Sequence, residues 1–413
     1  MQKLDRIKLK FSHGNLFLLG CMDTRIIQKK MFNSDTEQSE FDEMAEAGER
    51  DPLKEDEPVK KEGWFGIVSY NNPTSWLDWY KPGALTFLRM KCREKNHADI
   101  PDEEELNDKL PVHKIDKDGQ EKLKNPTDPI QFMWIGHATF LVQFDGLTVL
   151  ADPVFLERCS PVKFAGPYRY RPTPCEIEDL PKIDAVIVSH NHYDHLEHDA
   201  VKKLNTRFSK IKWYVPEGTG SWFRGYHCQN VKEMTWWDED VLSEEKKDVR
   251  FCCVPAQHWS QRTPLDAMTS LWCGWVIKSK HTFYYSGDTG YCPVFKTIGE
   301  KYGPMDLSAI PIGCYAPRYF MKPQHIGPEE AVQVHNEVGS KCSVGIHWGT
   351  FDGLGSHEFY LEPKQLLEEA VRKAKEGNEN FGKFFTVEHG EIIPIKSNQD
   401  TTKDSKDKDG AKL

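Results

Sequence analysis

Residues 183–200 read IDAVIVSHNHYDHLEHDA, an apolar run that breaks into four histidines and two aspartates within twelve residues. The first half has no polar alternation, so it reads as a short strand buried on both faces. His190 and His192 are two apart, and Asp194 and His195 follow at once. On a helix, side chains two apart point away from each other. In a tight loop leaving a strand, alternate side chains can converge on one point. The stretch therefore predicts a metal-binding loop at a strand end, with His190 and His192 on one ion and Asp194 and His195 on a neighbouring one.

Three further candidate ligands end apolar runs in the same way. His258 follows VRFCCVPAQ, Asp288 follows FYYSG, and His347 lies within CSVGIHWG. In α/β sheets functional groups gather at the carboxyl ends of strands. A donor set of imidazoles and carboxylates without thiolate suits zinc or another borderline divalent ion. Further strands are read in IQFMWIGHATFLVQFDGLTVLADP, with a hairpin turn at Asp145-Gly146, and in IKWYVP and LSAIPIG. PEEAVQVHNEV reads as a helix with Gly327 as N-cap and Pro328 at its first position. PKQLLEEAVRKAKEG reads as another, with one apolar stripe and Gly377 past its end. The pattern is that of an α/β layered fold.

Composition narrows the class. The 413 residues carry a formal net charge of -10, which disfavours a basic nucleic-acid surface. The 11 cysteines are scattered without a C-x-x-C pair, which suits a reducing, intracellular compartment. No apolar run reaches the roughly 18 residues of a membrane span. Residues 1–62 are polar and acidic over most of their length and read as largely disordered. Residues 63–129 form an aromatic-rich connector, with a helix expected from Pro82 that carries Ala84, Leu85, Leu88 and Met90. Residues 130–396 read as one folded domain bearing these ligands, and 397–413 as a disordered charged tail.

HNHYDH, Gln257-His258, SGDTGY and IHWGT resemble the metal motifs of the metallo-β-lactamase superfamily. From about residue 72 to about residue 394 the chain more narrowly resembles the N-acylphosphatidylethanolamine-hydrolysing phospholipase D family. WIGHATFLV, ADPVF, LPKIDAVIVSHNHYDHL, GDTGYCPVF, IPIGCYAPRYFM and IHWGTF carry that likeness in order. The resemblance implies an αβ/βα sandwich with a dizinc site at one edge. It implies hydrolysis of the phosphodiester that joins phosphatidate to an N-acylethanolamine. It places His190, His192 and His258 on one zinc, Asp194, His195 and His347 on the other, and Asp288 between them. It makes His325 the active-site histidine beside the substrate phosphate, with Tyr193 reaching the substrate as well. Paired metal ions acidify water and grip a phosphoryl oxygen, which fits that reaction.

Asp152 reads as a carboxylate that fixes a ligand imidazole, and His137 as a buried, hydrogen-bonded histidine. The chain departs from the family at Lys163-Phe164, at Gly327, and at Gln261. Gln261 stands where the family has a basic residue tied to bile-acid binding, which sets that regulation in doubt. A bilayer substrate requires peripheral attachment, placed here at the cytoplasmic face of an intracellular membrane of unspecified organelle. Trp222 and Phe223, in GSWFRGY, are the expected membrane contact. Trp76, Leu77, Trp79, Tyr80, Leu85 and Leu88 offer a groove beside the site or a homodimer contact. Two rival readings remain at this level: a hydrolase of the same fold acting on a lactone, thioester or RNA phosphodiester, and a non-catalytic lipid-binding relative.

Overall fold

Asp145 and Gly146 both take positive φ, at 52° and 79°, which is the backbone of a two-residue hairpin whose twist matches its strands. They join the strands Thr139–Phe144 and Leu147–Ala151, paired Phe144 to Leu147. Ile130–Gly136 and Ile392–Ile395 extend this sheet antiparallel on one side. On the other side Ala185–Ile187, Lys212–Pro216 and Val231–Met234 add in parallel, giving seven strands. A second seven-stranded sheet runs from Glu239–Glu244 through Lys247–Val254, Gly274–Lys278 and Thr282–Tyr285. It continues in parallel through Leu307–Pro311, Cys342–Ile346 and Lys383–Phe385. This computed structural model describes residues 56–395, apart from 64, 65, 82, 84, 85, 87, 88, 91–96, 163, 245 and 246.

Alternation along Ile130–Gly136 shows how the layers form. Phe132 and Trp134 face the second sheet, whereas Met133 and Ile135 face the opposite way, as the period of two requires. Between the sheets Tyr214 stacks on Phe251 at 4.0 Å, and Phe140 meets Tyr285 edge-on at 5.2 Å. Each such buried ring is worth about 1.5–3 kcal/mol. The outer face of the first sheet is covered by the helix His198–Arg207 through Ala200, Val201 and Leu204. Helices Val294–Tyr302, Pro328–Glu337 and Glu362–Gly377 bury their apolar sides in the core of the second. The result is an αβ/βα sandwich.

Several expectations shift. Val59–Glu62 is not disordered: it pairs antiparallel with Val68–Asn71, and Tyr70 N–H bonds Met268 O at 2.8 Å. Polar side chains there sit on a ladder whose backbone is satisfied, which composition does not reveal. Trp76 is no surface residue: it stacks on Trp236 at 5.5 Å and donates to Asp56 at 3.0 Å. Gly377 is the last residue of its helix, with Asn378 as C-cap. Met90 is buried against Phe320 and Met321. Pro82, Ala84, Leu85, Leu88, Lys163, residues 1–55 and the tail from 396 lie outside the described residues.

Candidate metal centre

The strand Leu147–Ala151 ends in Asp152, whose φ of 37° turns its carboxylate back under the sheet edge. That carboxylate accepts from Ser189 N–H at 2.7 Å, Ser189 Oγ at 2.5 Å and Tyr285 OH at 2.5 Å. It also takes the Nδ1–H of His195 at 2.7 Å, so Nε2 of His195 is the nitrogen left to face inward. Nε2 faces Asp288 Oδ2 at 3.1 Å and His347 Nε2 at 3.2 Å. Asp288 follows Gly287, whose φ of 63° lets the chain pass where a Cβ would lie 2.5 Å from Cys273 O. Its other oxygen is 3.0 Å from His347 Nε2, and Oδ2 lies 3.8 Å from His258 Nε2. Asp288 thus touches both halves of the cluster.

On the other half, His190 Nε2 is 2.8 Å from His192 Nδ1, which is 3.3 Å from His258 Nε2. His258 Nδ1 donates to Gln324 O at 3.0 Å, and His190 Nδ1 meets Ser189 Oγ at 2.9 Å. The outer nitrogens of His258 and His195 therefore hold their protons, and the inner nitrogens meet other nitrogens and carboxylates. Lone pairs facing lone pairs in a buried site need a shared cation. Donor atoms of His190, His192 and His258 all lie within 4.8 Å of one another, as do those of His137, Asp194, His195 and His347. Buried His192 Nε2 and His347 Nδ1 have no partner among the described residues. The donors fit a divalent metal.

Charge agrees with that fit. Burial drives the His190 and His258 imidazoles well below their ordinary pKa, and brings His192 to about 4. Neutral imidazoles are what a metal requires. Burial disfavours the charged forms of Asp194 and Asp288, yet His195 together with His137 at the first and His347 at the second outweighs it and keeps both anionic. Burial likewise opposes a charge on His195, but Asp288 and Asp194 hold its pKa well above 6.5. The two carboxylates thus favour a cation at the centre, either a proton on His195 Nε2 or a metal in that proton's place.

The site opens into a cavity of about 420 Å³, walled by Tyr193, His325, Phe320, Met321 and Leu354 among others. His325 lies on the turn between the helices Arg318–Met321 and Pro328–Glu337. Its Nδ1 is 3.8 Å from Asp288 Oδ2 and has no hydrogen-bond partner among the described residues. Arg318 holds that turn, donating to His325 O at 2.9 Å and to both oxygens of Glu330 at 2.9 and 2.8 Å. Glu330 also accepts from Gly327 N–H at 2.9 Å. Burial lowers the His325 pKa to about 3.

His137 does more than its sequence reading allowed. It is buried, and its Nε2 meets Asp194 Oδ2 at 3.0 Å while its ring lies 3.7 Å from that of His347. A histidine at the end of the strand Ile130–Gly136 repeats the placement of the other donors, and that was the available signal. Arg262, over the Tyr193 ring at 4.1 Å, carried no such signal. Phe223 is corrected outright. GSWFRG forms the helix Gly220–Gly225, and Phe223 is 0% exposed, against Trp213 at 5.2 Å. Trp222 is half-buried and packs toward the same core.

A family model described as beta-lactamase superfamily domain matches residues 148–348. With the two-sheet sandwich and the histidine-aspartate cluster at its edge, it makes this chain a metal-dependent hydrolase of the metallo-β-lactamase fold. The chain is 42% identical over 350 residues to N-acyl-phosphatidylethanolamine-hydrolyzing phospholipase D 1 of Caenorhabditis elegans, covering 83% of this chain and 96% of that one. It is 32% identical over 308 residues to the mitochondrial N-acyl-phosphatidylethanolamine-hydrolyzing phospholipase D of Saccharomyces cerevisiae, covering 67% and 65%. It belongs to the N-acylphosphatidylethanolamine-hydrolysing phospholipase D family. Among solved structures, an isothiocyanate hydrolase from Delia radicum gut bacteria aligns over 65% of this chain and 100% of that one. That alignment has a TM-score of 0.48 and 18% identity.

Proposed function

We propose that this chain is a dizinc phosphodiesterase of the phospholipase D type, hydrolysing N-acylphosphatidylethanolamines to N-acylethanolamines and phosphatidic acid at a membrane surface. The observation that carries this reading is a largely buried cluster of imidazoles and carboxylates whose inner donor atoms converge beside a cavity with apolar walls. His190, His192 and His258 would hold one zinc, Asp194, His195 and His347 the other, and Asp288 both. A bound zinc pair supplies Lewis acidity and brings water toward a pKa of about 7.

The chain's own residues do the rest. Asp152 fixes the tautomer of His195, and His137 steers Asp194, so the donors are set before a substrate arrives. His325, kept neutral by burial, has a hydrogen-bond donor to offer a phosphate oxygen, which suits orienting the diester more than acid catalysis. Tyr193 lines the approach. Phe320, Met321 and Leu354 suit acyl chains and exclude water from the reacting phosphorus.

Attachment to a bilayer falls to the loops around the cavity. Phe164 is 85% exposed on the loop that carries Cys159 and Pro167 to the cavity wall. Leu265 is 94% exposed on the loop that carries Gln261 there, and Leu77 is 92% exposed. No helix among the described residues is long and apolar enough to cross a membrane. On this reading the protein works as a peripheral enzyme at the cytoplasmic face of an intracellular membrane, where a bilayer substrate would be reached. Product analysis by mass spectrometry on mixed phospholipid vesicles tests the function. N-Acylethanolamine and phosphatidic acid should accumulate together and stop on chelation; absence of either product, or indifference to chelator, would sink the proposal.

A further inference from the structure

Arg262 lies four residues beyond His258 and points into the turn that carries His192, Asp194 and His195. Its Nη1 donates to Asn191 O and to Leu196 O, both at 2.8 Å. Those carbonyls bracket the turn, whose own bonds run from His195 N–H and Leu196 N–H to His192 O at 3.1 and 2.9 Å. The guanidinium plane is held over Tyr193 at 4.1 Å and over Trp222 at 5.2 Å. Its backbone is fixed too, with Arg262 N–H and Thr263 N–H on Asp266 Oδ1 at 2.9 and 2.7 Å.

We propose that Arg262 is a positioning residue for the metal centre, a staple between the segment that bears His258 and the turn that bears His192, Asp194 and His195. A planar guanidinium can reach both ends of the turn while stacking on two rings. An ammonium is a compact point charge with no face to stack, so lysine should not replace it. The same contacts give Trp222 a place as one wall of the staple, in line with its half-buried position. The inference rests on reading the cluster as a metal site.

The test is zinc affinity of the full-length chain, by competition with a chromophoric chelator. Arg262→Ala and Arg262→Lys should each weaken zinc binding about 10–100-fold, the range seen when groups that orient ligands are removed. Guanidinium ion, well below denaturing concentration, should restore part of the affinity to Arg262→Ala and none to Arg262→Lys. Wild-type affinity in Arg262→Lys, or an Ala variant indifferent to guanidinium, would overturn the proposal. If the Ala variant does not fold, the Lys variant decides alone. A wild-type chain that binds no zinc would end the metal-site reading itself, whereas undiminished binding in the variants ends only this inference.

Discussion

Asp288 and His325 come within 3.8 Å of each other from different segments, yet their surroundings give them different work. Asp288 spends both oxygens inside the cluster, one on His347 and the other between His195 and His258. Asp288→Asn keeps the shape and removes the charge, so both zinc content and rate should fall. His325 is anchored through its backbone by Arg318, and His325→Ala should keep the zinc. Its rate should drop about 100–1,000-fold, the usual cost of one lost transition-state donor. Elemental analysis beside turnover separates the two. Loss of zinc from His325→Ala would make it a ligand, a role its approach to Asp288 and His258 permits. The seven candidate donors were legible because they cluster at the ends of four apolar runs, which the topology gathers at one edge. His137 was half legible for the same reason. Arg262 was not, because it acts on backbone carbonyls, which no side-chain pattern records.

At the level of elements, the sequence misled most where glycines bracket aromatic residues. GSWFRG looks like an exposed loop, but it winds into a short helix. Successive residues of a helix point about 100° apart, so Phe223 turns into the core while Trp222 stays at its margin. Val59–Glu62 misled in the opposite sense, its charges hiding a strand held by backbone pairing. The loops that carry Phe164 and Leu265 gave no signal, since exposure of a single apolar residue is set by tertiary packing. On the proposed reading Phe164 and Leu265, which are exposed, supply the membrane contact that buried Phe223 cannot. Burying both in lipid is worth about 3 kcal/mol or more, roughly a hundredfold in partitioning. Phe164→Ser with Leu265→Ser should weaken vesicle sedimentation and vesicle turnover by that order, with zinc content unchanged. A short-chain monomeric substrate should be cleaved at nearly the wild-type rate. Equal losses on both substrates would refute the interfacial role.

Across the whole molecule, the architecture follows from one repeated device. Apolar strands buried on both faces stack ring against ring between two sheets, and the polar residues that follow them collect along one edge. That edge was readable from strand ends, because parallel strands in one sheet put their carboxyl ends on the same side. The facing of the two sheets was not readable, since pairs such as Tyr214 with Phe251 join segments 37 residues apart with no local mark. On the proposed mechanism this edge presents phosphorus, not carbon, to activated water. Hydrolysis of N-acylphosphatidylethanolamine vesicles in oxygen-18 water tests it directly. Attack at phosphorus forms a new phosphorus–oxygen bond and expels the ethanolamide oxygen, which takes up a proton. The label should therefore appear in phosphatidic acid and be absent from the N-acylethanolamine. Label in the N-acylethanolamine would mean that a carbon–oxygen bond had been cut, which rules out attack at phosphorus.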